Sequence, residues 1–336
     1  MSESHQFLED IKKLSEILSN LSEKELQIIH QGAVSENPWF TYESVARSLQ
    51  AISAMLTPPR LEKWLHDYAP SNRELSIGVV MAGNIPLVGF HDLLCVLASG
   101  HKAVVKASHQ DTFLVKFIRE KLVAINPSYD SRITLVERIK NIEAIIATGS
   151  DNSARYFEYY FSKYPHIIRR NRTSIAIIKG DETNDQLQAL GHDVFDYFGL
   201  GCRNVSTLLV PEEYDLFKLK EPWKSFSPVI HHHKYANNYD YRKSINLVNG
   251  VNFVDFEFVM FEENNHLFSP ISVLYYFRYK NSSDIQSYLA ENSEKIQCVV
   301  SNEIPTIKPV PFGQAQSPEL WDYADGIDTM EFLTSL

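Results

Sequence analysis

Cys202 stands in Phe198-Gly199-Leu200-Gly201-Cys202-Arg203-Asn204-Val205-Ser206, directly ahead of the apolar run Thr207-Leu208-Leu209-Val210-Pro211. Flanking glycines let a substrate or a backbone come close and permit unusual dihedral angles. The neighbouring Arg203 cation favours the thiolate, the nucleophilic form of cysteine. The competing reading is a small buried hydrophobe, the ordinary fate of a free cysteine. The other two cysteines fit that second reading. Cys95 lies within Leu93-Leu94-Cys95-Val96-Leu97 and Cys298 beside Val299-Val300, and both read as core.

Three more loops carry groups of interest. In Gly83-Asn84-Ile85-Pro86, Asn84 offers an amide donor just before an expected helix, or serves as its plain N-cap. Lys106-Ala107-Ser108-His109 ends an apolar strand with groups able to hold ribose hydroxyls or phosphate oxygens; a solvated strand end fits equally well. Thr148-Gly149-Ser150-Asp151-Asn152-Ser153 is a small polar turn opening a helix, whose free N–H donors and dipole suit a phosphate. It is neither a GxGxxG fingerprint nor a Walker loop.

The elements that must position these groups follow from periodicity. Residues 6–31 carry apolar side chains at helical spacing, with Ser22 and Glu25 forming a capping box, and 41–56 is a further helix stopped by Thr57-Pro58-Pro59. This helical segment reads as packing. Strands are expected at 77–82, 103–106, 133–136, 144–147 and 173–178. Helices are expected between them at 86–99, 111–125 and 152–161, and a further one at 183–198 leads into the Cys202 turn. A β-α-β order of this kind predicts a mostly parallel sheet covered on both faces, with ligands beyond its carboxyl edge. Later elements are a short helix at 214–219, strands at 251–260 and 271–277, a helix at 282–291 and a strand at 298–301. His231-His232-His233 on a strand would point to alternating faces and has no partner at a zinc spacing, so no metal site is expected.

The 336 residues allow two domains. A formal net charge of -10 argues against nucleic acid as a main partner, since phosphate binding needs clustered cations. Three widely spaced cysteines do not form a disulfide framework, and no apolar signal core or membrane-length run is present. A soluble cytoplasmic protein without a membrane span is the expectation.

In this order and spacing the motifs resemble those of the aldehyde dehydrogenase superfamily and, within it, the acyl-CoA reductases of the LuxC type. The resemblance runs from about residue 75 to 332. Gly83-Asn84-Ile85-Pro86 resembles the asparagine loop of the oxyanion hole. Val104-Val105-Lys106-Ala107-Ser108 resembles the strand-end lysine motif that contacts the cofactor ribose, and Thr148-Gly149-Ser150 the turn that receives the pyrophosphate. Cys202 falls at the nucleophile, Phe268-Ser269-Pro270 at the later Phe-Gly-Pro, and Pro311-Phe312-Gly313 at the Pro-Phe-Gly near the C-terminus. The resemblance implies Cys202 and Asn84 as catalytic residues, and Lys106, Ser108, His109, Thr148, Gly149, Ser150 and Phe268 as cofactor-binding residues.

Departures from the family pattern refine the expectation. The glutamate that activates water for thioester hydrolysis falls near Arg169, within Arg169-Arg170-Asn171-Arg172, with no carboxylate. Its loss spares a thioester for exchange with a thiol such as coenzyme A; the arginines either bind a coenzyme A phosphate or form a solvated loop. His266 replaces the glutamate that holds the nicotinamide ribose. His109 replaces the carboxylate that repels a 2′-phosphate, which leans toward NADP(H).

The expected fold is α/β and aldehyde dehydrogenase-like, a parallel-sheet cofactor domain plus a second α/β catalytic domain. Residues 1–172 form the helical segment and dinucleotide-binding domain, 173–310 the nucleophile domain, and 311–336 a segment returning to the cofactor domain. The expected activity is NADPH-dependent reduction of a fatty acyl-CoA thioester to the aldehyde through a thioacyl-enzyme on Cys202. The alternatives are an NAD-dependent acylating aldehyde dehydrogenase and a catalytically silent relative acting as a partner or scaffold subunit. The resemblance also implies a homo-oligomer, a dimer or larger.

Overall fold

The computed structural model describes residues 3–71, 73–302 and 308–336. The chain forms two compact units, Met1–Asn171 with Ser317–Leu336, and Arg172–Gln316, so residues 311–316 go with the second unit.

The first unit begins with four helices, α1 (Glu3–Ser19), α2 (Glu23–Glu36), α3 (Tyr42–Met55) and α4 (Pro58–Leu65). Ser22 and Glu25 form the expected capping box at α2. The prolines after α3 do more than stop it, because Pro58 and Pro59 open α4, where a missing N–H costs nothing. Then come β1 (Ser76–Val80), α5 (Phe90–Ala98), β2 (Lys102–Lys106), α6 (Thr112–Ile125), α7 (Tyr129–Arg132), β3 (Ile133–Leu135), β4 (Ala144–Thr148), α8 (Asp151–Phe161) and β5 (His166–Arg169).

The five strands are parallel, in the order β3-β2-β1-β4-β5. Alternate residues serve opposite faces. Ile77, Val79, Ala144 and Ile146 join one cluster, while Val80, Ile145 and Ala147 join another. Each such fully buried Val or Ile contributes about 1.5–3 kcal/mol. The strand order reverses between β1 and β4, the switch point of an open parallel sheet. The last helix, α12 (Thr329–Thr334), returns to this unit: Thr329 accepts from buried Arg169 at 2.8 Å, the Leu333 carbonyl meets His101 Nε2 at 2.9 Å, and Trp64 Nε1 donates to Tyr323 at 2.7 Å.

The second unit contains β6 (Thr173–Ile177), α9 (Asn184–Phe195), β7 (Val205–Pro211), α10 (His233–Asn249), β8 (Phe253–Asp255), β9 (Met260–Glu263), β10 (Val273–Tyr279), α11 (Ser282–Asn292) and β11 (Ile296–Val300). Its sheet runs β11-β6-β7-β10-β9-β8, parallel except for the β8–β9 pair.

Three sequence expectations change here. The run 251–260 is not one strand; Glu257 takes φ 71° and turns β8 back onto β9. The helix expected at 214–219 shortens to a 3-10 turn at Leu216–Leu219. The histidine tract lies on no strand, because His231 ends a 3-10 helix and His233 begins α10. His232 packs its ring 4.7 Å from that of Phe198 and stacks on His233. Among the described residues no group of three or more His, Cys, Asp or Glu is arranged to hold a metal ion, and no helix is long and apolar enough to cross a membrane.

Candidate functional site

Cys202 lies in the irregular turn between α9 and β7 and is partly exposed. Thr183 and Gln186 start α9 with a capping box. Phe198 at φ 57° and Gly199 at φ 83° then take left-handed conformations in succession, which stops the helix and reverses the chain. The Asn204 N–H donates to the Gly201 carbonyl at 3.0 Å and closes the turn under Cys202. The Arg203 guanidinium reaches the Ala315 carbonyl at 3.5 Å.

Two buried side chains, one bonded to this turn and one on the helix before it, were not singled out from the sequence. Ser174 on β6, fully buried, donates through Oγ to the Cys202 carbonyl at 3.1 Å and accepts from the Cys298 N–H at 3.2 Å. The Cys298 sulfur lies 3.1 Å from the same oxygen, and Cys298 is half-buried rather than core. Asp193 on α9, also fully buried, accepts from the Gly313 and Ala315 N–H groups at 2.6 and 2.9 Å. That bond fixes Pro311-Phe312-Gly313 onto the helix leading to Cys202. Burial pushes the Asp193 carboxyl up to about 7, against the lowering effect of those two N–H donors. Cys95 is fully buried in the first unit, and burial with nearby Asp92 raises its thiol well above the ordinary value, as expected of an inert cysteine.

The segment carrying Phe268 is fixed to the first residues of β7. The Leu267 carbonyl accepts from Ser206 Oγ at 2.6 Å and from Thr207 Oγ1 at 2.9 Å, leaving Phe268 at 45% exposure. The second unit therefore brings the Cys202 turn and the Phe268 segment to one end of β7. His266 is exposed beside them.

In the first unit, three loops leave one edge of the sheet. Lys106 is the exposed last residue of β2; Ser108 is half-buried and His109 exposed behind it. Gly83 packs so tightly that an added Cβ would lie 2.7 Å from Ser108. The loops after β1 and β2 therefore touch. After β4, Thr148 and Gly149 are half-buried and Ser150 caps α8 by accepting from the Ser153 N–H. A Cβ on Gly149 would lie 2.8 Å from Ser153 and 3.0 Å from Phe157. Only glycine fits there, which keeps backbone close to the α8 N-terminus.

Asn84 is not a helix N-cap. The helix begins at Phe90 with Gly89 as its cap, because Leu87 at φ 58° cannot continue a helix from Pro86. The loop is instead held from outside. Asn37 Nδ2 donates to the Gly83 carbonyl at 3.0 Å, Ser48 Oγ to the Pro86 carbonyl at 2.8 Å, and Asp111 Oδ2 accepts from the Leu87 N–H at 2.8 Å. Asn37 and Ser48 belong to the helical segment read from sequence as mere packing, so that segment also positions a loop.

The basic cluster 169–172 is not one solvated patch. Arg169 is 4% exposed, ion-paired with Asp92 on α5 and bonded to Thr329. Arg170 is exposed against Glu158 on α8, and Arg172 Nη1 donates to the Ile296 carbonyl at 3.2 Å.

The residues of the first unit fit a dinucleotide. They offer a parallel-sheet switch point, an exposed lysine at a strand end, and a helix N-terminus approached through a glycine that cannot carry a side chain.

Comparison with known proteins agrees with this fold. No protein-family model matches the chain. The long-chain acyl-protein thioester reductase of Aliivibrio fischeri is 24% identical over 140 residues, a stretch taking in 37% of this chain and 29% of that protein. Among solved structures, aldehyde dehydrogenase 21 of Physcomitrella patens, in complex with the reaction product succinate, superposes with a TM-score of 0.68 at 13% identity, covering 100% of this chain and 84% of that one. Mycobacterium tuberculosis aldehyde dehydrogenase complexed with NAD+ gives 0.64 at 14% identity, covering 90% and 74%. Succinic semialdehyde dehydrogenase of Streptococcus pyogenes in complex with NADP+ gives 0.64 at 12% identity, covering 86% and 74%. The chain has the aldehyde dehydrogenase fold, and its sequence is similar to that of a LuxC-type acyl thioester reductase.

Proposed function

We propose that the protein is an oxidoreductase that reduces a fatty acyl thioester, carried on coenzyme A or on a protein, to the aldehyde. The first unit binds NADPH and the second carries the nucleophile. The observation that carries this reading is the placement of Cys202 on a glycine-flanked, partly exposed turn anchored by Ser174, in a chain with the aldehyde dehydrogenase fold.

The Cys202 thiolate attacks the acyl carbonyl, and the carrier thiol leaves with a proton, giving a thioester on Cys202. The Cys202 backbone N–H and the Asn84 amide donate to the oxyanion, each worth about 3 kcal/mol. A bound nicotinamide cofactor would supply the hydride that reduces the thioester carbon. Collapse of the resulting thiohemiacetal breaks the C–S bond, releases aldehyde and restores Cys202. Arg169, near which the family resemblance places the glutamate of hydrolytic members, is paired with Asp92 and offers no general base, so water is a poor acceptor for the thioester. When the cofactor is bound, Lys106 would hold its ribose, the 148–150 turn its pyrophosphate, and Phe268 its nicotinamide end. His109, exposed and not acidic, admits a 2′-phosphate.

The test is mass action on the intermediate. Stoichiometric protein is mixed with radiolabelled long-chain acyl-CoA, and protein-bound label is trapped with and without NADPH. Label on the wild type, none on Cys202→Ala, and discharge as aldehyde by NADPH is the expected result. Absence of label across several chain lengths refutes the reading in favour of a catalytically silent scaffold. A preference for NAD+ with aldehyde and coenzyme A points to the acylating direction instead. Light scattering on the same sample reads the oligomer that the family resemblance implies.

A further inference from the structure

Asp111 is the N-cap residue of α6, a 14-residue helix, yet its side chain makes no capping bond. That duty passes to Glu36 at the end of α2, whose carboxylate accepts from the Phe113 N–H at 2.7 Å. The Asp111 carboxyl turns instead to the loop after β1, where Oδ2 accepts from the Leu87 N–H at 2.8 Å. Leu87 is the residue held at φ 58°, three positions after Asn84. A non-glycine residue in that conformation persists only where its surroundings impose it. Asp111 is 2% exposed, and its Oδ1 is fully buried with no hydrogen-bond partner.

We infer that Asp111 is a positioning residue for the proposed reaction: in its neutral form it clamps Leu87 and so fixes the Asn84 loop, and on ionising it releases the clamp. The inference rests on the reading of Asn84 as the oxyanion donor. A neutral carboxyl can stay buried beside Leu87, whereas an unpaired carboxylate with one bare oxygen is costly there. Burial pushes the group up to about 8, the Leu87 N–H lowers it, and the Glu36 carboxylate on the facing helix raises it further. Lys106 and His109, the other charged or titratable groups on this loop, are exposed. The clamp therefore holds most tightly below about pH 4 and weakens as pH rises toward about 8, above which it changes no further.

Two readouts test this on the full-length protein. Hydrogen exchange of the peptide covering 81–89, corrected for intrinsic rate, reports the loop without reference to activity. The pH profile of kcat for acyl thioester reduction reports its consequence. In the wild type, loop protection falls as pH rises from 5 to 8, by up to about 10-fold for each step of one in pH, and levels off above that, while kcat falls relative to that of Asp111→Asn. Asp111→Asn, which keeps an oxygen for Leu87 and does not ionise, stays flat in both over that range. Asp111→Ala loses loop protection at every pH, with kcat falling and KM unchanged. Wild-type protection that is flat from pH 5 to 8, or a kcat profile that Asp111→Asn shares with the wild type, overturns the inference. If no variant reduces acyl thioester while the exchange results stand as expected, the proposed reaction fails and the clamp remains.

Discussion

Ser174→Ala removes one oxygen from the place where β6, β11 and the Cys202 turn meet. The hydroxyl is fully buried, donates to the Cys202 carbonyl at 3.1 Å and accepts from the Cys298 N–H at 3.2 Å. Two neutral hydrogen bonds contribute about 1 kcal/mol each, and leaving a buried N–H without its acceptor adds about 1–3 kcal/mol. The expected cost is about 3–5 kcal/mol, or a fall in Tm of roughly 6–20 °C for a unit of this size. The loss is also local. With its carbonyl released, the Cys202 peptide no longer holds one orientation, and thioester formation slows by about 10-fold for each 1.4 kcal/mol of misplacement. Urea melting measures the first effect, and single-turnover acylation followed by mass spectrometry the second. Ser174→Thr, which keeps the hydroxyl, should recover acylation more fully than stability, because its extra methyl crowds a strand whose five residues are all buried. A Ser174→Ala protein that melts within about 0.5 kcal/mol of wild type, the scatter of an inert surface change, and acylates at the same rate would falsify the argument from the hydrogen-bond geometry.

Asp193 makes stability depend on pH with a definite sign. Its folded value, about 7, lies above the ordinary 3.8, so the native state holds the proton more tightly than the unfolded chain. Its contribution is full below about pH 4 and declines as pH rises toward 7, by about 1.4 kcal/mol for each step of one in pH. Asp193→Asn should flatten that slope in urea titrations at pH 4–8, and a slope unchanged by the substitution refutes the assignment. Gly149→Val should weaken nicotinamide dinucleotide binding at least 10-fold in calorimetry, since even its Cβ meets Ser153 at 2.8 Å and forces the turn from the α8 N-terminus. Unaltered affinity in that variant would remove the 148–150 turn from the cofactor site.

Local features of the sequence carried much of the architecture. The capping boxes at Ser22–Glu25 and Thr183–Gln186 each complete themselves within four residues, so α2 and α9 start where the sequence places them. The short apolar runs became parallel strands because such strands are buried on both faces and need no alternation to be recognised. The left-handed turn at Phe198–Gly199 was legible through its glycine.

Other features needed partners distant in sequence. Helix α10 is held by Tyr235, Tyr239 and Asn246, which bond Phe258, Asp255 and Glu262. Those polar side chains leave no apolar stripe to read. Arg169 looks like part of a basic loop until Asp92, 77 residues away, buries it as an ion pair. Cys298, Ser174 and Cys202 meet only because β11 pairs with β6 and β6 with β7. In sequence Asp111 is only the first residue of the helix expected at 111–125. Its actual partner is Leu87, and only the parallel pairing of β1 with β2 brings the two loops within 2.8 Å. Sequence alone determined many of the helices and strands and which residue types could do chemistry. The tertiary structure decided which buried groups hold them in place, because a hydrogen bond across a sheet leaves no periodic signal in the chain.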